Sequence, residues 1–141
     1  DGLSANAEDI AAAITNALHS AALDPDAIDA IIPQGRGIPA VDAAEAEAIH
    51  AVFGERAPSI PLVLTVPYTG NCNAGNGTIQ IAVGCRCLET QSLPARINTG
   101  SSTCNLQTGP APACDAELST ILVMSAGQGG QNTALILGKA T

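Results

Sequence analysis

The stretch that most limits the possible folds runs from Pro61 to Gly77, PLVLTVPYTGNCNAGNG. Leu62-Val63-Leu64-Thr65-Val66 is an uninterrupted apolar run that stops at Pro67. Gly70, Gly75 and Gly77 follow, with Asn71, Asn73 and Asn76 among them. An apolar run bounded by turn residues predicts a strand buried on both faces, as in a parallel sheet. The glycine-rich stretch then predicts a loop that leaves the sheet and opens the next element. In open α/β sheets, sites are built in such loops beyond the carboxyl ends of the strands.

The flanking segments supply the neighbours of this strand. Asn6 and Asp9 resemble a capping pair, and Ile10, Ile14 and Leu18 recur at helical spacing. Asp24-Pro25-Asp26 suits a short turn, and Ile28 to Ile32 reads as a strand ended by Pro33. Gln34 to Pro39 is a loop. Asp42 and Glu45 read as a second capping pair, ahead of a helix that Ala46, Ile49, Ala51 and Val52 carry to Gly54. Ala95 to Thr99 reads as a short strand and 100–118 as a long loop of the kind that meets a partner. Thr120–Ser125 and Asn132–Leu137 are strands joined by a turn at Gly127-Gln128-Gly129-Gly130.

Residues 77–89 suit a strand and a helix equally well. Ile79, Ile81, Val83, Cys85 and Cys87 alternate with Gln80, Ala82, Gly84 and Arg86, and period two argues for a strand. Length and position between two strands argue for a crossover helix. Either way, the order of elements predicts one α/β domain over 1–141 that ends in antiparallel strands.

Composition excludes several functions. The chain has 141 residues, a net charge of −8, no Trp, and Phe53 and Tyr68 as its only aromatic side chains. Base stacking needs aromatic platforms, and an acidic chain is repelled by nucleic acid and by anionic membranes. No run approaches the roughly 18 apolar residues of a membrane-spanning helix. The first residues, DGLSANAED, lack the basic start of a signal peptide, and a start at Asp1 suggests a cut or trimmed chain. Five cysteines (Cys72, Cys85, Cys87, Cys104 and Cys114) without a signal sequence point to reduced thiols and a cytoplasmic location. No Cys-x-x-Cys pair occurs and both histidines lie far from the cysteines, so neither metal nor cofactor is expected.

Four segments, taken in order, resemble the C-terminal half of a β-ketoacyl synthase of the thiolase fold. GRGIPAVDAAEAEAIHAVFG (35–54) is similar to the family's stretch from His-Gly-Thr-Gly-Thr-Pro to Val-Phe-Gly. GNCNAGNG (70–77) stands where the family has Gly-His and, two residues on, Gly-Ala-Ala-Gly. LPARINTG (93–100) resembles a segment where a short strand reaches an Asn, and SAGQGGQNTALIL (125–137) resembles a glycine-rich hairpin. The resemblance implies a helix at 77–89, and a mixed sheet with parallel core strands, antiparallel C-terminal strands and helices packed on it.

It also implies positions for chemistry. In the family, two histidines of this half assist decarboxylation of a malonyl-carrier protein and hold the enolate, because donors must face the charge that develops. The resemblance lays the first on Gln34 and the second on Asn71. The usual lysine falls on Val66, and the phenylalanine that gates the acyl pocket falls on Gln128. Gly35, Gly70, Gly77, Gly129 and Gly130 remain. Neither amide titrates near neutral pH, so no general base is left. Cys72 is the one candidate nucleophile, set against a plain loop thiol packed under the helix. His19 and His50 read as surface or half-buried residues, and Asp42, Glu45 and Glu47 as capping or solvated ones.

The leading expectation is a non-catalytic subunit of the chain-length-factor type, paired with an active ketosynthase in fatty-acid, polyketide or polyene elongation. Acyl carrier protein and the subunit's own N-terminal half are further partners. The alternatives are a divergent β-ketoacyl-carrier-protein synthase or acyltransferase using a cysteine, and a structural fragment that only associates with its other half.

Overall fold

The computed structural model describes residues 6–100, 104–127 and 130–140. Helix α1 (Ala7–Ala21) starts where expected, with the Asn6 side chain accepting from the Glu8 N–H at 2.9 Å. The cap thus works through Asn6 alone, without Asp9. The Ile10, Ile14 and Leu18 stripe is buried. Strand β1 (Ala30–Ile32) follows a 3-10 turn at Pro25–Ala27, and all three of its residues are buried.

Helix α2 (Pro39–Phe53) begins at Pro39, three residues before Asp42. Proline's missing N–H costs nothing in a first turn, and its fixed φ suits one. Asp42 and Glu45 are therefore not a capping pair. They lie inside the helix, and Glu45 is buried.

The apolar run at 62–66 takes its predicted place beside β1, but only in part. Ile31 and Leu62 form a single parallel bridge, with Ile31 N–H donating to Pro61 O and Val63 N–H to Ile31 O. The chain then turns into the short helix α3 (Val66–Thr69), with Pro67 in its first turn. Val66 belongs to this helix and not to a strand. Leu62, Val63 and Thr65 are buried nonetheless.

Helix α4 (Asn76–Thr90) settles the ambiguity of 77–89 in favour of the helix. Its buried residues, Gln80, Gly84, Cys87 and Leu88, recur every three or four positions. The alternating isoleucines are thus a coincidence of composition, since Ile81 is an exposed residue on the outer side. Gly84 is needed where α4 meets the sheet: an added Cβ would come within 2.6 Å of Leu137 Cδ1 and 3.2 Å of Ile32 Cδ1.

The expected strand at 95–99 is displaced. Strand β2 (Ser92–Leu93) pairs antiparallel with β3 (Cys114–Asp115), and beyond it only Arg96 bridges, to Ala111. Asn98 sits at φ 52°, a left-handed conformation that breaks an extended strand. The 100–118 segment accordingly contains a strand of its own. Strands β4 (Thr120–Ala126) and β5 (Asn132–Gly138) match expectation, paired antiparallel from Thr120–Gly138 to Ala126–Asn132. Gln128 and Gly129, where a turn is expected, lie outside the described residues.

The sheet order is β1-β4-β5, with β1 parallel to β4. Helices α1 and α2 cover one face, around Ile14, Ile49, Phe53, Ile31 and Leu122. Helix α4 covers the other, around Cys87, Leu88, Ile32 and Val123. The core is almost wholly aliphatic, as a chain this poor in aromatics requires.

Candidate functional site

Two loops meet at the carboxyl ends of β1 and β4, and the residues singled out from sequence are divided between them. Gln34 lies just past Pro33 at the end of β1 and is 3% exposed. Its side-chain Nε2 donates to Ala126 O at 2.7 Å, the last carbonyl of β4. The Arg36 Nη2 donates to that same carbonyl at 3.0 Å.

The backbone of this loop is held from α2. Glu45 accepts the Gln34 N–H at 2.7 Å through Oε1 and the Gly35 N–H at 3.0 Å through Oε2. Charge-assisted bonds of this kind are among the stronger ones available. Burial pushes the Glu45 carboxyl up to about 7, against the two N–H donors, which favour the charged form. Nearby Asp42 adds to the rise and Arg36 opposes it. Asp42 is raised as well, mainly by burial, and one of its oxygens is buried without a partner. Glu47 is exposed, as expected.

The second loop, 70–76, organises itself. The Asn71 Oδ1 accepts from the Asn73 N–H at 3.0 Å and from the Asn76 Nδ2 at 2.8 Å. The Asn76 Oδ1 in turn accepts the Cys72 N–H at 2.8 Å. Asn71 is exposed, whereas Asn76, at the start of α4, is buried. Cys72 is exposed rather than packed under the helix, and only weak contacts, 3.7 and 3.9 Å to Thr69 and Gly70 carbonyls, surround its sulfur.

No base stands beside it on the loop. His50, half-buried on α2, bonds through Nε2 to Cys104 O at 2.9 Å, and His19 is exposed on α1. Among the described residues no three His, Cys, Asp or Glu side chains gather as a metal site. Val66 is half-buried in α3, and Gln128 lies outside the described residues.

Sequence reasoning missed three contributors. Glu45 was hidden by a plausible capping partner, although Val41, Glu45 and Ile49 share one helical face at i, i+4, i+8. Gln80 was hidden by the false alternation. It is fully buried and its Nε2 donates to Pro33 O at 2.7 Å and Met124 O at 3.1 Å, tying α4 to both strand ends. Arg36 stands where the resemblance has a threonine, and nothing in its loop advertised a role.

A mixed sheet between two helical layers, with glycine loops gathered where parallel strands end, is the architecture of the thiolase-like ketosynthases. It overlaps the ishigamide ketosynthase/chain length factor with a TM-score of 0.90 at 27% identity, covering 96% of this chain and 34% of that one. A type II PKS acyl-carrier protein in complex with its ketosynthase bound to the hexaketide gives 0.89 at 27% identity, covering 99% and 35%. Residues 2–100 match the family described as beta-ketoacyl synthase, C-terminal domain, and the chain belongs to that family. The tetracenomycin polyketide synthase ketoacyl synthase beta subunit of Streptomyces glaucescens is 31% identical over 137 residues, which cover 90% of this chain and 31% of that protein. The chain thus spans about a third of the length of the relatives it matches. Among the described residues no helix is long and apolar enough to cross a membrane.

Proposed function

We propose that this chain is the C-terminal part of a non-catalytic ketosynthase-like subunit of the chain-length-factor type. The subunit pairs with an active ketosynthase as a heterodimer in the cytoplasm and takes part in fatty-acid or polyketide chain elongation. The observation that carries this reading is the state of Gln34 and Asn71, the positions that resemble the family's two histidines. Gln34 is buried and its amide nitrogen is committed to a strand carbonyl. The Asn71 oxygen accepts two bonds within its own loop. Neither side chain can take up a proton near pH 7, and Val66 supplies no ammonium. Likeness to a ketoacyl synthase beta subunit and to a ketosynthase/chain length factor supports the same reading.

The subunit's work is then steric. Its interface side chains set the depth of the tunnel in which the chain grows, and pseudo-twofold packing keeps the active partner in its working form. Acyl carrier protein meets the pair, as one does the ketosynthase in a related complex. The test is co-purification from the native source followed by elongation assays. The expected result is a ketosynthase partner and no elongation without it. Elongation of acyl carriers by the full-length subunit alone would refute the proposal.

A second reading is favoured by the exposure of Cys72 on the loop that opens α4. In it the protein is a divergent condensing enzyme or acyltransferase with a thiol nucleophile. Alkylation of Cys72 with parallel loss of transfer activity is its expected signature. Full activity of a Cys72→Ala variant would end it.

A further inference from the structure

The cleft between the two loops carries a cationic side chain without a direct carboxylate partner among the described residues. Of the four arginines, Arg56 donates to Pro25 O and Ile28 O, Arg96 to Gly109 O and Leu62 O, and Arg86 pairs with Glu89 on the surface. Arg36 differs from all of them. Its Nη2 reaches Ala126 O, but its Nε is buried and meets no acceptor among the described residues. Arg36 lines a cleft of about 610 Å³, together with Asn73, Gly77, Ser125, Gln131 and Thr133.

This wall contains hydroxyls, amides and one full positive charge. No carboxylate lines the cleft among the described residues, in a chain whose net charge is −8. Glu45 is near enough to be influenced by Arg36, yet its two oxygens already accept the Gln34 and Gly35 N–H groups. The Arg86–Glu89 contact is the one ion pair among the described residues, so Arg36 makes no direct ion pair there. A guanidinium keeps its charge at any working pH and presents paired N–H groups that match a planar anion.

We propose that this cleft binds the carboxylate of a small organic acid, with Arg36 as its anchor and the Ser125 and Thr133 hydroxyls and the Gln131 amide as neutral donors. A single cation matches a single negative charge, which favours a carboxylate over a phosphate dianion. The proposal goes beyond the subunit reading and holds whether or not the protein is catalytic.

The experiment titrates the full-length protein with 13C-labelled butyrate, followed by NMR at constant ionic strength set with chloride. Butyramide, acetate and inorganic phosphate serve as comparison probes. Butyrate is expected to saturate with a Kd on the order of 1 mM, as a ligand of so few atoms allows. Butyramide is expected to bind at least tenfold more weakly, and Arg36→Gln to lose butyrate binding by about tenfold, with Arg36→Lys between. Arg86→Gln removes the same formal charge from the exposed face of α4 and should leave binding unchanged. If Arg36→Gln does not fold, the butyrate-to-butyramide ratio on the native protein decides the matter alone. The proposal is overturned by absence of saturable butyrate binding, the result expected if an acidic side chain elsewhere in the protein fills the cleft. Equal binding of butyramide, equal loss in Arg86→Gln, or tighter binding of phosphate overturns it as well.

Discussion

The loop after β1 and the loop before α4 reach the same cleft and are held by opposite means. The first is tied into the core: Glu45 grips its backbone from α2, and its side chains end on a strand carbonyl. The second is held by a chain of asparagines that begins at the surface, with only Asn76 buried. Where a buried carboxylate closes a loop, losing it strands N–H groups away from water. Where exposed amides do so, water replaces them. The first loop is therefore part of the fold, and the second is an attachment to it.

The largest break in this contrast should come from Glu45→Ala. A buried N–H and a half-buried one lose their acceptor, at about 1–3 kcal/mol for the buried group and less for the other, and chemical denaturation should show a lower midpoint with an unchanged slope. Overfilling the contact beneath α4 comes next. Gly84→Val is expected to cost about 1–3 kcal/mol in the same assay, because Leu137 and Ile32 already occupy the space.

The pH dependence sharpens the comparison further. The Glu45 carboxyl is raised from 4.5 to about 7 by burial, so between those values the folded state holds a proton that the unfolded state releases. Stability from this group is complete below pH 4.5 and is lost as pH rises through about 7, on the order of 1 kcal/mol per pH unit. The raised Asp42 carboxyl acts in the same direction. Thermal melts across that range should show the decline in the native protein and a flatter profile in Glu45→Gln. A native profile that rises instead would mean that the N–H donors outweigh burial.

The smallest effect belongs to the second loop. Asn71→Ala should lower stability by no more than about 1 kcal/mol, since Asn71 itself is exposed and one of its two bonds lies open to water, the other being half-buried. A loss as large as that of Glu45→Ala would erase the distinction between the two loops.

What was legible in the sequence follows the same division. Helix α1, the β4–β5 pair and the end of β1 at Pro33 were readable because caps, periodicity and proline act locally. The loop positions 34 and 71 were readable because the glycines around them form a pattern. Glu45 and Gln80 were not, because their roles depend on partners that only the folded chain brings near: backbone groups of residues 34 and 35 for one, Pro33 and Met124 for the other. The strand after Pro61 was overextended for a similar reason. An apolar run states that residues are buried, not how many of them find a neighbouring strand.

The fit of α4 on the sheet restricts more than stability. The Leu137 and Ile32 side-chain tips enter the notch left by Gly84, which prevents the helix from rolling about its axis. Gln80, bonded at once to the ends of β1 and β4, prevents it from sliding along that axis. The outward side of α4, with Ile81 and Cys85 upon it, is therefore presented at a fixed azimuth and a fixed height. Any surface that seats against it must adapt its own shape, because this helix has no freedom left to adapt in return.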